Sequence, residues 1–222
     1  MMEEIVKILS IEQLTHDVKR YRFEKPEGYH FEPGQATEVS INQEKWKEER
    51  RPFTFTSLNE WPFLEFTIKS YRDHDGVTHA LDNLRAGDEL IIRDVWGAIA
   101  YKGEGCFIAG GAGITPFLAI FRQLHKSNKI DGNRLYFSNK TESDIILRDE
   151  LTTMLGEHAR FILTRSSAPG IEKGYIDKDF LQKNVIDFSK PFYVCGPDKM
   201  VESISDDLRS LGASPEAIVF EQ

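Results

Sequence analysis

The segment that most restricts the fold is Gly110-Gly111-Ala112-Gly113-Ile114-Thr115-Pro116, because of what stands on either side of it. Before it, Cys106-Phe107-Ile108-Ala109 is a short, unbroken apolar run, the pattern of a parallel strand buried on both faces. After it, Phe117, Ile120, Phe121 and Leu124 recur at helical spacing on one face. A strand that ends in glycines and passes at once into an amphipathic helix belongs to a layered α/β structure with a parallel sheet. Further strand-like runs at 135–137, 161–164, 192–195 and 217–220 extend that sheet. Helical segments lie between them, the clearest at 199–211 with Met200, Ile204, Leu208 and Leu211 inward. Gly212 is a natural residue to end that helix, and Pro215 prevents its continuation.

The first hundred residues follow a different rhythm. Short strand-like runs at 5–14, 18–23, 36–41, 53–57, 63–69 and 89–93 are punctuated by Pro26, Gly28, Pro33-Gly34, Asn59 and Gly87-Asp88. Six such strands predict a small antiparallel barrel. Residues 77–85 form the one plausible helix there, with Gly87 ending it. At 222 residues the chain has room for two domains. The expected division is a β-barrel domain at 1–100 and an α/β domain at 101–222, with the boundary near 98–104.

Composition excludes several classes. The net charge of −8 argues against nucleic acid as the main partner. Residues 1–100 hold 13 Lys+Arg against 19 Asp+Glu and residues 101–222 hold 15 against 17, so the acidity is concentrated in the first half. No apolar run is long enough for a membrane span, and the acidic start Met1-Met2-Glu3-Glu4 is not a secretory signal, so a cytoplasmic location is expected. Two cysteines, Cys106 and Cys195, far apart in apolar segments, give neither a disulfide framework nor a zinc site, and no metal site is expected. They also cannot ligate a four-cysteine iron–sulfur cluster by themselves.

Three motifs carry chemistry. In the glycine segment, Gly110, Gly111 and Gly113 permit close backbone approach by a ligand, Ile114 continues the turn, and Thr115 and Pro116 are suited to the N-cap and first position of a helix whose dipole favours a pyrophosphate. It is not the Gly-x-Gly-x-x-Gly fingerprint, because Pro116 stands where the last glycine would be. Cys195-Gly196-Pro197 again follows a strand and opens a helix. In the barrel half, Arg51-Pro52-Phe53-Thr54 offers a planar fork for a phosphate, a stiff edge-strand entry, a flat aromatic face and a hydroxyl. Taken alone it also reads as an ordinary edge strand. Gly76-Val77-Thr78 opens the barrel helix and can cradle an anion, or simply cap that helix.

Together these segments, in this order and across nearly the whole chain, resemble the ferredoxin–NADP reductase-like flavoprotein family. The resemblance implies a flavin, FAD ahead of FMN, in the barrel domain. Arg51 and Gly76, Val77 and Thr78 would serve its phosphates, Pro52 and Phe53 its ring, and Thr54 flavin N5. It implies NADPH or NADH, with NADPH slightly ahead, on the α/β domain. There Gly110, Gly111, Gly113, Ile114, Thr115 and Pro116 would hold the pyrophosphate, and Thr164 and Arg165, with Lys140 or Lys173 assisting, a 2′-phosphate. Cys195, Gly196 and Pro197 would flank the nicotinamide, with Glu221 close to it. Thr54, Cys195 and Glu221 are the residues implied at the reacting centre. Asp94-Val95-Trp96-Gly97 departs from the family's Gly-Pro-x-Gly, and Trp96 is expected in the core. The implied reaction is hydride transfer from NAD(P)H to the flavin, then electron delivery to flavodoxin, ferredoxin or a small-molecule acceptor. The rival readings are an electron-relay or sensor subunit without turnover, and a ferric-siderophore or free-flavin reductase.

Overall fold

A computed structural model describes residues 3–71, 76–97 and 99–220, with the side chain of Phe220 outside that description. The chain forms two compact units, Met1–Ala98 and Ile99–Gln222.

The first unit is a six-stranded antiparallel barrel with strands β1 (Glu3–Thr15), β2 (Val18–Glu24), β3 (Gln35–Ile41), β4 (Arg51–Thr54), β5 (Phe63–Lys69) and β6 (Glu89–Gly97). They pair in the order β4-β3-β6-β1-β2-β5, and an antiparallel bridge between Phe55 and Phe66 joins the two ends. The pleat sends alternate residues inward. Val6, Ile8, Tyr21, Phe23, Val39, Ile41, Leu64, Phe66 and Ile68 thereby fill one core. Helix α1 (Val77–Asp82) plugs it with buried Val77 and Leu81. Each such large side chain contributes roughly 1.5–3 kcal/mol by leaving water.

The strands differ from the sequence expectation in ways with local causes. Helix α1 stops at Asp82, short of residue 85, because Asn83 caps it and Leu84 turns back to Leu81. Gly87 (φ +98°) instead serves the turn into β6, where its N–H donates to the Ile8 carbonyl. Strand β6 runs on to Gly97, so Trp96 sits on a strand and is 37% exposed. It is therefore not a core residue. Thr56 and Ser57 leave β4 and turn to buried Glu65: the Thr56 hydroxyl donates to its carboxylate (2.9 Å), and the Ser57 hydroxyl accepts from its N–H (3.1 Å). Arg22 donates to the same carboxylate at 3.0 Å.

The second unit is a parallel sheet of β7 (Cys106–Gly110), β8 (Arg134–Asn139), β9 (Ala159–Leu163), β10 (Glu172–Lys173), β11 (Phe192–Cys195) and β12 (Ile218–Phe220), in the order β10-β9-β8-β7-β11-β12. Its helices are α2 (Thr115–Lys126), α3 (Arg148–Leu155), α4 (Lys178–Asn184) and α5 (Asp198–Ser210). All five residues of β7 are buried, as expected of a central strand covered on both faces. From β7 the chain builds outward through β8 and β9 in one direction, then returns to place β11 and β12 on the other side. The carboxyl end of β7 is thus a topological switch point, the position at which open α/β sheets receive ligands. Helix α5 ends as its sequence predicts. Gly212 (φ +102°) donates to the Arg209 carbonyl and Ala213 to the Leu208 carbonyl, the paired bonds of a Schellman motif. The two-residue β10 had no periodicity to reveal it.

Burial in β7 pushes the Cys106 thiol up to about 11. At about pH 8 roughly one such thiol in a thousand is ionised. The native protein should therefore leave Cys106 unmodified by iodoacetamide, with peptide mapping after unfolding showing its full reactivity. Rapid native alkylation of Cys106 would contradict the burial.

Candidate functional site

In the second unit the two motifs that the sequence separates by more than eighty residues meet backbone to backbone. Strands β7 and β11 are register neighbours, with Ala109 opposite Cys195, so their glycine-bearing ends emerge side by side. A methyl group on Gly113 would lie 2.2 Å from the Cys195 carbonyl oxygen and 2.6 Å from the Gly196 nitrogen. One on Gly110 would meet the Met200 sulfur at 2.4 Å and Pro197 at 3.1 Å. Gly196 in turn sits against the Gly110 backbone, 3.2 Å from where its own Cβ would be. These glycines are required by the protein's own packing.

Gly111 is different. It adopts φ +54°, in the left-handed region, and nothing lies within 4 Å of its Cβ position. Its conformation turns the chain, and the space beside it is open. Residues 111–114 form a short 3-10 turn, so α2 begins at Thr115 with Ile114 as N-cap. This moves the cap back by one residue from the sequence expectation. The Thr115 hydroxyl donates to the Ala112 carbonyl (2.9 Å), and Pro116 is buried. Val194, Cys195, Gly196, Asp198, Val201 and Glu202 line a hollow of ≈ 340 Å³ beside this junction.

Thr164 and Arg165 leave β9 at the same edge of the sheet. The Thr164 N–H donates to the Asn139 carbonyl (2.9 Å) and the Arg165 N–H to the Lys140 carbonyl (3.0 Å). Arg165, Lys140 and Lys173 are all exposed. The neighbouring acids are engaged elsewhere: Glu142 pairs with Arg148, and Asp144 accepts from the Thr141 N–H (2.8 Å) and hydroxyl (2.7 Å). This leaves a local excess of positive charge at the end of β9.

In the first unit, Arg51, Pro52, Phe53 and Thr54 lie on β4, paired with Val39, Glu38, Thr37 and Ala36. Arg51 is half exposed; its guanidinium donates to the Arg50 carbonyl (2.6 Å) and stands 3.7 Å from Glu49. Phe53 is half-buried against the barrel core, 5.9 Å from the Phe66 ring, so part of its ring remains uncovered. Thr54 is buried, and its hydroxyl makes no hydrogen bond among the described residues. Gly76 is the N-cap of α1 and has open space at its Cβ position, and Val77 is buried in the barrel core. Thr78 presents its side chain in the first turn while its carbonyl accepts from Ser70 (3.3 Å). Glu221 lies outside the described residues. Among the described residues no cluster of His, Cys, Asp and Glu could hold a metal, and no helix is long and apolar enough to cross a membrane.

The comparisons identify both units. Residues 5–101 match the oxidoreductase FAD-binding domain and residues 107–206 the oxidoreductase NAD-binding domain. An NADH-cytochrome b5 reductase 2 from Coccidioides immitis is 32% identical over 222 residues, covering 90% of this chain and 67% of that protein. The chain belongs to the ferredoxin–NADP reductase-like flavoprotein family. It is by family a flavin oxidoreductase, with an FAD-binding and an NAD-binding domain. A ferredoxin–NAD(P)(+) reductase component of the naphthalene 1,2-dioxygenase system of Pseudomonas putida is 24% identical, covering 95% of this chain and 66% of its own. The chain thus spans about two thirds of the length of these relatives. The same fold is seen in a ferredoxin NADP+ reductase from Neisseria gonorrhoeae with bound FAD and NADP. It has a TM-score of 0.87 at 21% identity, covering 100% of this chain and 98% of its own.

The structure fits a dinucleotide on one count above all: the glycine cradle excludes every Cβ on its protein side yet is open at Gly111. Substituting Gly113→Ala should lower the thermal midpoint, because a backbone-to-backbone contact has nowhere to move. The expected cost is about 1–3 kcal/mol or more. Gly111→Ala should cost only the left-handed strain, about 1–2 kcal/mol. Thermal unfolding of both variants checks the ranking, and a Gly113→Ala protein as stable as the parent would refute the packing.

Proposed function

We propose that this chain is an NAD(P)H-dependent flavoprotein reductase that takes a hydride from a nicotinamide nucleotide onto FAD and passes the electrons to a separate acceptor. The observation that carries the reading is the contact of the Gly110–Gly113 turn with Cys195-Gly196 at the switch point of a parallel sheet. It occurs in a chain whose other unit is an FAD-binding barrel. FAD, when bound, accepts two electrons together and can release them singly.

The protein's own residues position, orient and exclude water. Arg51 holds flavin phosphate through charge-assisted hydrogen bonds, with the helix start at Gly76, Val77 and Thr78 as a second hold. Pro52 stiffens the entry to β4, so that the exposed part of Phe53 meets the ring system and the unpartnered Thr54 hydroxyl is offered to N5. Gly110, Gly111 and Gly113 with Ile114, Thr115 and Pro116 receive the pyrophosphate. Cys195, with Gly196 and Pro197, forms the wall against the nicotinamide, and Glu221 is the further candidate beside it. Thr164 and Arg165, with Lys140, select the 2′-phosphate. The exposed positive charges of Arg165 and Lys140, with Glu142 ion-paired to Arg148, favour NADPH over NADH.

The acceptor is a one-electron carrier protein, with ferredoxin and flavodoxin as the first choices. Relatives are named as cytochrome b5 reductases and as reductase components of oxygenase systems, which supports a protein acceptor. The chain's two cysteines are both buried, so its own thiols do not supply a cluster to do this work. Two buried cysteines that form no disulfide also suit a reducing compartment such as the cytoplasm.

Anaerobic addition of NADPH to the FAD-loaded protein should bleach the flavin band, with NADH slower. A protein that stays yellow with both donors would remove the reductase reading in favour of a relay subunit. Turnover on ferredoxin and flavodoxin against ferric chelates and free flavin then identifies the acceptor. Arg51→Ala should weaken FAD binding about tenfold to a hundredfold, the loss expected for a charged hydrogen-bonding partner. Full flavin occupancy of that variant after gel filtration would take Arg51 out of the phosphate site.

A further inference from the structure

Among the described residues Asn139 has both polar atoms of its side chain, Oδ1 and Nδ2, fully buried and without a hydrogen-bond partner. The residue is 4% exposed. Its backbone is satisfied, since its carbonyl accepts from the Thr164 N–H at 2.9 Å and from the Thr164 hydroxyl at 3.3 Å. A carboxamide can make up to four hydrogen bonds, and burying one with none is destabilising. Native proteins keep such groups where a ligand or an ordered water completes them.

Its place in the fold says which ligand. Asn139 is the last residue of β8, at the carboxyl edge. Ser138 pairs with Gly110, so Asn139 stands level with Gly111, the open position of the glycine turn. Leu135 is paired with Phe107, whose ring meets Phe117 and Phe121 of α2 at 5.1 Å and 4.6 Å. By alternation Phe137 and Asn139 share that face, the side on which α2 begins.

The strand order then sets a sequence of positions along the edge. Cys195 ends β11, the glycine turn follows β7, Asn139 ends β8, and Thr164-Arg165 follow β9, in spatial order β11, β7, β8, β9. Adjacent strands lie about 4.8 Å apart, so this row spans roughly 14 Å. A dinucleotide laid along it has its own fixed order: nicotinamide, pyrophosphate, adenosine ribose, 2′-phosphate. Three of these have candidate partners in the same order, and the third position, the ribose, falls on β8.

We propose that Asn139 is the residue that binds the adenosine ribose, its carboxamide hydrogen-bonding a ribose hydroxyl directly or through one ordered water. The assignment rests on the dinucleotide reading of this edge. A side chain kept buried and unpaired for a ligand predicts a trade: replacing it with an apolar residue of similar volume relieves the unliganded protein and harms the complex.

The test uses the FAD-loaded protein with Asn139→Leu. Calorimetry should show NADP+ binding weakened about tenfold or more, the loss expected for a buried hydrogen-bonding group. Flavin reduction by reduced nicotinamide mononucleotide, which lacks the adenosine half, should be unchanged. The thermal midpoint without nucleotide should be equal or higher. Unchanged NADP+ affinity, an equal loss with the mononucleotide, or a lower midpoint would each overturn the assignment. Asn139→Ser supplies the NADP+ affinity and mononucleotide readouts a second time, with the same expected outcomes. Failure of the underlying dinucleotide reading looks different, because the parent protein itself would bind neither NADP+ nor NAD+.

Discussion

The contact between Gly113 and the Cys195 carbonyl is the constraint on which the second unit depends. Two strand ends can approach this closely only if neither carries a Cβ at the point of contact, and a methyl at Gly113 would stand 2.2 Å from an oxygen that has nowhere to go. The parallel pairing of β7 with β11 brings those ends together, and the stack of Phe107 on Tyr193 (ring centroids 4.2 Å apart) locks the pairing from below. Of the three glycines in the turn, Gly111 is the one with open space at its Cβ position.

The first unit is built on a different economy. Its core is a closed cluster of aromatic and aliphatic side chains, and its polar groups are mostly committed to one another. Buried Glu65 accepts from Arg22 and Thr56 at its carboxylate, while its N–H donates to the Ser57 hydroxyl oxygen. Lys19 reaches both the carbonyl and the carboxylate of Asp82, and the Tyr21 hydroxyl donates to the Leu81 carbonyl, so the end of α1 is tied to β2. Against that background Thr54 stands out for having an uncommitted hydroxyl on β4, one residue from the partly uncovered ring of Phe53. Polar groups left without internal partners mark both units' candidate surfaces: Thr54 on the barrel and Asn139 on the sheet.

Charge distribution sets the end of β9 apart from the rest of the chain. The chain is acidic, yet the end of β9 presents Arg165 and Lys140, while Glu142 is ion-paired with Arg148 and Asp144 is held in hydrogen bonds from Thr141. The sequence shows these acids and bases as close neighbours of mixed sign. Only the capping geometry of residues 141–144 separates them into paired and unpaired groups.

Periodicity alone determined the broad architecture. Alternation over short runs specified the barrel strands, the unbroken apolar run at 106–109 specified a doubly covered parallel strand, and Gly212 specified the end of α5. These follow from local sterics and burial, which neighbouring residues set for themselves. The motif residues were legible for the same reason, since glycines, a capping threonine and an arginine fork carry their chemistry with them. Tertiary structure decided what no local pattern encodes. It assigned Thr56 and Ser57 to Glu65, because their partner lies on another strand. It extended β6 through Trp96 by pairing it with Ala36. It also turned Asn139, an unremarked residue in Ser-Asn-Lys, into a buried, unpartnered carboxamide beside the glycine turn. Burial without a partner is a property of the surroundings, so it becomes visible only when distant strands are placed side by side.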